Sequence, residues 1–580
     1  MLAIIQDNHY LYLDQVTSGI EECLVDWFSI QDPRAHFISS PWDGWYRRYN
    51  TAKQRLSLSF IKELVKCCEH HNIPLEIEDR RSAPTFPAPN EDQITEDLLS
   101  GIRLEQYQVE ALKTCCHEEI GIISSPVGSG KTEIICGLVK MFRCPTVIIT
   151  EQIVVLEQIV ERLTMRQVVH NNDIGMFCHG HMPDGNLVVV GSIQSLSSPK
   201  KPEKSKIKIT QKQVLRYVSQ WIKTDSQNLY HAMPKTLADA LIKNPDGISE
   251  LRGAYLQMLV DYCREIEWVK RVKAYKTRLE HAGNIQSFVQ QCDLLIVDEV
   301  DLAVGSQYST LFRGIFKGRR RYGLSGTPFD AKKPVNALLL KENIGNIICE
   351  TDRKLVLSLG RSVPVKCYMF IIGENGDRND RRAYDIAIKE EMVENNEFHQ
   401  SVARIVSSFP NDGTLILVDT SPIEPLGLAL ENIIPNSKFI YGGTPRVARR
   451  KYIELFEARS LKCLIGSKIL RRGLDLHGGV ENLIIIGGGG KWSDFDQKVG
   501  RAVRVNKRGW SRVFGFFFLN NKYLYKHSRE NLKAIISMGY PAKVITNGIE
   551  IDGEKFIRSR FSLRTGNIRT QRNITEESLF

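Results

Sequence analysis

Apolar runs alternate with helical patterns along most of the chain. After residue 100, the runs GIISS, TVIIT, LVVVGS, LLIVDE and YGLSGT follow one another with helical stretches between them. From Val363 a second series begins, formed by TLILVD, FIYGG, CLIGS and LIIIGGG. Strands that are apolar on both faces are typical of parallel sheets covered by helices on both sides. The pattern therefore predicts an α/β fold with two parallel-sheet domains in tandem.

Other segments have different patterns. Residues 1–82 combine short alternating runs with the helical sequence SFIKELVKCCEHHN, which predicts a small α+β domain. The Pro-rich stretch that follows predicts a linker over residues 83–100. Residues 197–290 are Lys-rich helical sequence, which predicts an insertion in the first α/β domain. The expected remaining segments are the first α/β domain at 101–355, the second at 356–520, and a helical, basic extension at 521–580.

The charge is unevenly spread. At 580 residues the chain is too long for a single core, and its 42% hydrophobic and 25% charged residues are ordinary for a globular protein. Residues 1–82 hold nine Lys/Arg against twelve Asp/Glu, whereas residues 200–290 hold seventeen against nine. The last 26 residues are also basic. An exposed basic segment indicates a polyanion partner, and the alternative is a solvated helical face.

Cysteine spacing and hydropathy exclude some classes of protein. The thirteen cysteines include no CxxC pair, which argues against a zinc site and favours reduced thiols. The chain has no basic leader and no apolar window of 18 residues. We therefore expect a soluble cytoplasmic protein without a membrane partner.

The stretch SSPVGSGKT, Ser124 to Thr132, follows an apolar strand and opens a helix. Backbone N–H groups of such a loop cradle phosphates, which assigns Gly128, Ser129 and Gly130 to nucleotide binding. Lys131 would reach the β- and γ-phosphates, and the hydroxyl of Thr132 would bind Mg²⁺. Ser125 stands where the general pattern has its first glycine. ATP and Mg²⁺ are the expected cofactors.

An acidic pair ends a later strand, in LLIVDEVD. We expect Asp298 to hold Mg²⁺ and Glu299 to orient and deprotonate the attacking water. Two adjacent carboxylates repel each other unless a cation lies between them.

Two arginines in the second α/β domain complete the predicted catalytic group. In QKVGRAVR, Arg501 and Arg504 are three residues apart and so share a helix face. Arginines that reach from one domain to a phosphate held by the other accelerate hydrolysis by orders of magnitude. Hydrolysis would then depend on domain closure.

The ordered motifs LEQYQ, SPVGSGKT, GSIQSL, DEVD, SGTP, GLD and QxxGRxxR resemble those of superfamily 2 helicases, over Leu104 to Lys507. The resemblance implies two RecA-like domains with ATP in the cleft and nucleic acid across both. It implies that Gln108 reads adenine, although Glu105 stands where an arginine is common. The remaining residues that it implies are Gln497 for catalysis, Gly473 and Asp475 for the nucleotide, and Thr150, Ser192 and Gln194 for the nucleic-acid backbone.

The stretch PWDGWYRRYN allows two interpretations. Asp43-Gly44 is a two-residue turn signal, and the residues after it alternate as in a strand, so the aromatic rings either pack or contact nucleic acid. With the helix-strand unit that follows, the stretch resembles the N-terminal domain of the phage UvsW-type recombination helicases. That resemblance implies an ATP-driven enzyme that remodels branched DNA by fork regression, junction migration and R-loop unwinding, in recombination, repair or replication. The predicted DNA contacts in this stretch are Trp42, Trp45, Arg47 and Arg48.

This resemblance also implies the cytoplasm of a bacterial host and favours a monomer. The segment 197–290 departs from the pattern because it is longer and more basic. Two alternatives keep the motor but change its substrate, namely an RNA helicase and the motor chain of a restriction system. DEVD in place of DEAD argues against the first, and the lack of a PD…ExK nuclease pattern argues against the second. A third alternative is an ATP-gated switch that binds or anneals DNA without unwinding it.

Overall fold

The structure is a computed structural model that describes most of residues 1–558. It leaves out residues 34, 36–41, 152, 178–186, 197–198, 225, 245–252, 330–332, 374–379, 421, 468–478, 488–498, 501–503 and 559–580. No helix in the described part of the chain is long and apolar enough to cross a membrane. The cysteines of the described part are free thiols, as the sequence predicts.

The N-terminal domain is a four-stranded sheet with two helices, which confirms the predicted α+β domain. Its elements are β1 (Leu2–Ile5), β2 (Tyr10–Asp14), α1 (Ser18–Trp27), β3 (Ser29–Gln31), β4 (Trp45–Arg47), β5 (Arg55–Ser57), α2 (Ile61–His70) and β6 (Glu76–Asp79). The sheet has the order β5-β2-β1-β6, in which only β1 and β6 run parallel. Both helices pack on it, because Leu24 of α1 and Leu64 of α2 are fully buried in one apolar cluster with Leu11.

The stretch around Asp43-Gly44 differs from the predicted two-residue hairpin. Strand β4 pairs with β3, so Asp43-Gly44 lies at the end of a longer connection. Gly44 has φ +84°, a left-handed conformation that favours glycine, and its carbonyl accepts a hydrogen bond from the Asp32 N–H at 2.8 Å. The Asp43 carboxylate accepts from the Trp45 N–H at 3.0 Å and from Arg47 at 2.6 Å. Asp43 therefore fixes the start of β4 instead of turning the chain.

The first α/β domain is a seven-stranded sheet with the order β13-β7-β12-β11-β8-β10-β9. Its elements are α3 (Gln106–His117), β7 (Ile120–Ser124), α4 (Lys131–Phe142), β8 (Thr146–Thr150), α5 (Ile153–Met165), β9 (Ile174–Phe177), β10 (Val188–Ser192), α6 (Ile193–Leu196), α7 (Gln211–Thr224), α8 (Gln227–Ala232), α9 (Lys235–Lys243), α10 (Gly253–Gln291), β11 (Leu294–Asp298), α11 (Ser306–Thr310), β12 (Arg320–Ser325), α12 (Pro334–Ile344), β13 (Ile347–Glu350) and α13 (Arg353–Ser358). All its described strand pairs are parallel, so their carboxyl ends share one edge.

The predicted helical insertion consists of α7 to α10, between β10 and β11. Its helices bury an apolar cluster of their own, which includes Val218, Trp221 and Leu259. The insertion is therefore a separately packed unit that α10 connects to the sheet domain.

The second α/β domain is an eight-stranded sheet with the order β16-β17-β15-β18-β19-β14-β20-β21. Its elements are β14 (Val365–Ile372), α14 (Tyr384–Ile388), α15 (Asn396–Ser407), β15 (Thr414–Asp419), α16 (Ile423–Ile433), β16 (Ser437–Ile440), α17 (Arg446–Glu457), β17 (Cys463–Gly466), β18 (Asn482–Gly487), β19 (Ser511–Phe518), α18 (Lys522–Ser537), β20 (Ala542–Thr546), β21 (Ile549–Asp552) and α19 (Gly553–Arg558). Among the described strand pairs of this sheet, only β20–β21 is antiparallel. The two parallel-sheet domains confirm the predicted fold class.

The second domain extends past the predicted boundary at residue 520. Strand β20 pairs in parallel with β14, with Cys367 opposite Ala542, and Val544 is fully buried. The basic charge of the chain end suggested a separate extension. The short apolar run in AKVIT instead completes the second sheet.

A network of buried charges joins the N-terminal domain to the first α/β domain. The Glu342 carboxylate, on α12, accepts from Arg48 at 3.0 Å and from Arg313 at 2.6 Å. Nearby, Lys341 pairs with Glu63 at 2.8 Å. Removing one partner of such a buried group leaves an uncompensated charge, which is strongly destabilising. The two domains are therefore held together by mutually dependent ion pairs.

His9 lies in the same interface, and we predict that its protonation weakens the docking of the N-terminal domain. Burial, together with the charges of Arg321 and Lys317, lowers the pKa of His9 to about 4 against the opposing effect of Asp7. The unfolded chain binds a proton near pH 6.5 but the folded chain does not until about pH 4. Stability is therefore lost as pH falls through this window, by on the order of 1–2 kcal/mol given the partial exposure of the ring.

Thermal unfolding of the wild type and of His9→Gln at pH 7.5 and pH 5 checks this. We expect the wild type to lose more stability on acidification than the variant, which has no group that titrates at this position. Equal losses in the two proteins would contradict the prediction.

Candidate nucleotide-binding site

The phosphate-binding loop connects β7 to α4 and begins with a serine that fits the loop. Ser125 is fully buried; its N–H donates to the Ser325 carbonyl at 2.9 Å and its hydroxyl donates to Ser129 Oγ at 2.6 Å. Gly128 and Gly130 have φ values of +88° and +78°. Both positions therefore need the freedom of glycine, whereas the position of the expected first glycine does not.

Two side chains of helix α3 form hydrogen bonds with this loop. The Tyr107 hydroxyl and the Gln108 Nε2 both donate to the Ser129 carbonyl, at 2.8 and 2.9 Å. Gln108 is buried, and its Oε1 accepts from the Glu105 N–H at 2.9 Å. A Cβ at Gly130 would lie 2.6 Å from Gln108 Nε2. In this structure the Gln108 amide is thus engaged by the loop backbone; adenine recognition by Gln108 stays a prediction.

The acid pair lies opposite the loop at the carboxyl end of β11. Lys131 Nζ, in the first turn of α4, is 3.7 Å from Glu299 Oε1. Burial and the adjacent Glu299 raise the pKa of Asp298 to about 7, although Lys131 opposes the shift. Glu299 has φ +51°, and such strained backbone in a non-glycine residue is concentrated at functional sites.

These residues fit a divalent cation. The repulsion that raises the pKa of Asp298 is relieved when a cation binds the carboxylates, and the Thr132 hydroxyl, next to Lys131, is a further oxygen ligand. Among the described residues, no cluster of three or more His, Cys, Asp or Glu could hold a metal by itself. A site of one carboxylate and one hydroxyl matches Mg²⁺, which usually keeps several waters and binds nucleotide phosphates.

The SGTP segment is bonded to the acidic loop. Ser325 Oγ donates to Asp301 Oδ1 at 2.9 Å and accepts from the Thr327 N–H at 3.2 Å. Strand β12, which ends in Ser325, lies between β7 and β11. The acidic loop and the SGTP segment are therefore in direct contact.

The second α/β domain reaches the phosphate-binding loop. Val127 packs against the second domain's apolar cluster. Arg361, in the connection between the domains, donates to Glu105 Oε1 at 2.6 Å, and its carbonyl would lie 3.4 Å from a Cβ at Gly128. Glu105, which departs from the usual arginine of the family, thus has a cation as its partner. Tyr107 lies in the motif LEQYQ, but its bond to the loop is not apparent from that motif, and no sequence motif marks Arg361, since both roles depend on distant contacts.

The predicted catalytic residues of the second domain are described only in part. Burial lowers the pKa of Arg504 to about 10, and Glu457 opposes this shift. Four other predicted residues lie outside the described residues, namely Gly473, Asp475, Gln497 and Arg501. Their roles stay predictions.

The predicted nucleic-acid contacts of the first domain meet at one edge of the sheet. Thr150 and Ser192 are register partners at the ends of β8 and β10. Both side chains are largely buried, whereas Gln194, in α6, is exposed. Ser192 Oγ and Ser195 Oγ are 2.9 Å apart. The segment therefore shares the strand-end edge with the nucleotide site.

The four predicted contacts of the N-terminal domain separate into two groups. Trp42 and Trp45 are 36% and 37% exposed, and the Trp42 Nε1 donates to the Trp45 carbonyl at 3.2 Å. Arg47 is half exposed and pairs with Asp43. Arg48 points instead into the domain interface, where it pairs with Glu342. The tryptophans are thus available to a partner, whereas the Arg48 guanidinium has a structural contact.

Two family models match the chain. The first is the res subunit of Type III restriction enzymes, over residues 101–219, and the second is the helicase conserved C-terminal domain, over residues 401–506. The first range contains the phosphate-binding loop, and the second contains the predicted arginines Arg501 and Arg504. No curated protein matches the chain.

Solved helicase structures resemble the chain at low identity. UvsW of bacteriophage T4 is 14% identical over 94% of this chain and 99% of its own, with a TM-score of 0.39. Dbp5 of S. cerevisiae bound to RNA and ADP-BeF3 is 13% identical over 77% and 90%, with a TM-score of 0.46. Lhr of Mycobacterium smegmatis bound to ssDNA and AMP-PNP is 13% identical over 76% and 49%, with a TM-score of 0.43.

We predict that Gln108→Ala raises the KM for nucleotide by about 5- to 50-fold, because the Ser129 carbonyl loses a buried hydrogen bond that fixes the loop. If the Gln108 amide contacts only the loop, the KM values for ATP and for GTP should rise by the same factor. Steady-state hydrolysis of both nucleotides measures this. The matched control is Gln106→Ala, an exposed glutamine of the same helix, for which we expect no change. A loss confined to ATP would instead assign Gln108 to adenine recognition.

Proposed function

We propose that this chain, which carries the two motor domains of a superfamily 2 helicase, is an ATP-dependent DNA helicase or translocase that remodels branched DNA. One observation carries the proposal: the phosphate-binding loop, the acid pair and Ser325 meet at one sheet edge, with the second domain packed against the loop. Hydrolysis at such a junction changes how two domains contact each other. Fork regression, junction migration and R-loop unwinding are the proposed activities, on the resemblance of the N-terminal domain to UvsW-type enzymes.

The proposed mechanism assigns a task to each side of the cleft. Lys131 binds the β- and γ-phosphates, and Glu299, next to it, accepts the proton of the attacking water. Thr132 and Asp298 would hold Mg²⁺, which neutralises phosphate charge when bound. Arg501 and Arg504 of the second domain, with Gln497 and the nucleotide contacts Gly473 and Asp475, complete the site when the domains close. Contacts with the nucleic acid that change between the open and closed states become a step along it.

We propose DNA as the partner, bound by a monomer in a bacterial cytoplasm. The exposed Trp42 and Trp45 offer ring faces on which bases stack, or a wedge at a branch. Thr150, Ser192 and Gln194 would contact the phosphate backbone from the motor. Phosphate contacts supply most of the affinity in this arrangement, so binding falls steeply with salt.

A second candidate is the motor chain of a restriction system. The match to the res subunit of Type III restriction enzymes over residues 101–219 favours it. Both candidates share the ATP site and differ in the DNA that stimulates it. A restriction motor tracks linear duplex, whereas a branch remodeller responds to junctions.

The nucleotide site gives a direct prediction. Lys131→Ala removes the cation that binds the phosphates, so we expect loss of both nucleotide binding and hydrolysis. Glu299→Gln removes the general base, so we expect retained binding and a hydrolysis rate lower by on the order of 10²–10⁴-fold. Calorimetric ATP binding and steady-state hydrolysis measure the two effects. An active Glu299→Gln variant would show that Glu299 is not the base, and a variant that keeps its ATP-dependent DNA binding or annealing without hydrolysis would favour an ATP-gated switch.

The substrate is tested by hydrolysis without nucleic acid and then with single-stranded DNA, linear duplex, a forked duplex, a four-way junction and RNA, at fixed salt. We expect forks and junctions to stimulate hydrolysis most. Greatest stimulation by linear duplex would favour the restriction motor, and greatest stimulation by RNA would show that the DNA proposal is wrong.

Replacement of both exposed tryptophans, Trp42→Ala with Trp45→Ala, should lower junction affinity by about 1–3 kcal/mol per stacked base, because the stacking faces are lost. Linear duplex should be bound as before. Competition binding of junction and duplex measures the difference. Tyr523→Ala, an exposed aromatic residue of α18, is the control. Equal junction affinity in the double variant and the control would contradict a DNA role for the tryptophans.

A further inference from the structure

Helix α10 is held at its two ends and not in its middle. Its 39 residues extend over about 58 Å at 1.5 Å per residue. Near its start, Leu259 and Cys263 are buried in the apolar cluster of the insertion. Near its end, Ile285 and Val289 are buried in the core of the first α/β domain.

From residue 264 to residue 281 the helix has no buried residue. All positions from 269 to 281 are exposed or half-buried, and the five consecutive residues 276–280 are all exposed. Five residues cover more than one turn, so this part of the helix faces solvent on every side.

The exposed middle is strongly basic. Residues 269–281 include five Lys/Arg and one Glu. Lys270, Lys273 and Lys276 follow each other at intervals of three, so they are neighbours on the helix surface and repel one another. Arg271 pairs with Glu267 at 2.9 Å. Within the described residues, Lys273, Lys276 and Arg278 form no ion pair. A polyanion would therefore relieve a repulsion that the chain itself leaves in place.

The end of α10 lies beside the predicted nucleic-acid edge of the motor. Gln286 Nε2 donates to the Leu196 carbonyl at 2.7 Å, in the short helix α6 that directly follows Ser192. The exposed basic span, residues 269–281, ends less than two turns before Gln286. It therefore leaves the sheet domain at the strand-end edge that carries Thr150 and Ser192.

We propose that the exposed basic span of α10, residues 269–281, binds the phosphate backbone of a DNA duplex as a second contact beside the motor. The inference rests on the proposed function, since it adds a binding surface to it. An α-helix about 10–12 Å across fits the B-DNA major groove, which is about 12 Å wide. Cations on several sides of the helix then face phosphates on both walls of the groove. Lysines and arginines that contact phosphates position a duplex without reading its sequence.

The test is a combined variant, Lys273→Ala with Lys276→Ala and Arg278→Ala. Its matched control is Lys526→Ala with Arg529→Ala and Lys533→Ala, which removes two lysines and one arginine from exposed positions on α18. Affinity for a linear DNA duplex is measured by fluorescence anisotropy over a range of salt concentrations. Circular dichroism and thermal unfolding check that both variants fold. Alanine has a high helix propensity, so the substitutions should not unwind either helix.

We expect the α10 variant to bind duplex at least about 10-fold more weakly and to lower the slope of log K against log salt by about 2–3, at about 0.9 per phosphate contact. The control variant should keep the wild-type duplex affinity and the wild-type salt slope. A second variant, Lys273→Arg with Lys276→Arg, preserves the charge and should bind duplex as the wild type does.

Unchanged duplex affinity and slope in the α10 variant would overturn the inference, as would an equal loss in the control. A loss for duplex RNA with none for duplex DNA would overturn it as well and assign the span to RNA. A wild-type protein that binds no nucleic acid would contradict the proposed function itself, which separates the two failures.

Discussion

The nucleotide site depends on a buried carboxylate that needs a cation. Asp298 ends a strand whose residues are apolar and inaccessible, and its neighbour Glu299 adds a second charge, so the pKa of Asp298 rises to about 7. Parallel strand order brings Lys131, Asp298 and Ser325 to the same edge because all these strands end there. The electrostatic cost of the acid pair is thus balanced by groups that the sheet places beside it. A bound divalent cation would supply the remaining positive charge.

The same first domain connects the nucleotide site to the N-terminal domain through one helix. In α12, Glu342 binds Arg48 of the N-terminal domain, and the next residue, Asn343, donates to the carbonyl of Ala303 at 3.0 Å. Ala303 lies two residues after the DEVD motif. Helix α12 therefore contacts both the N-terminal domain and the loop that follows the acid pair.

Contiguous features were predictable from sequence, and features that depend on distant partners were not. The phosphate-binding loop, the acid pair and both parallel sheets follow from local patterns of apolar and small residues. Arg48 lies in an aromatic stretch whose sequence suggests an exposed surface. Its role as an interface residue follows only from its contact with Glu342, which is distant along the chain. The Gln108 amide bonds to the loop because α3 packs beneath it, which no motif states. The residues of β20 were assigned to a basic extension because the positive charge of the chain end was weighted more than the short apolar run AKVIT.

The order of strands in the second sheet constrains how the chain folds during synthesis. Strand β14 is made first in this domain, yet its neighbours on both sides, β19 and β20, are made last, with Val365 opposite Ser511. Until those strands leave the ribosome, both edges of β14 lack their native partners, and such unpaired edges invite association with other chains. Long sequence separation between paired strands also slows folding. The second α/β domain therefore completes its sheet only after β19 and β20 have been made.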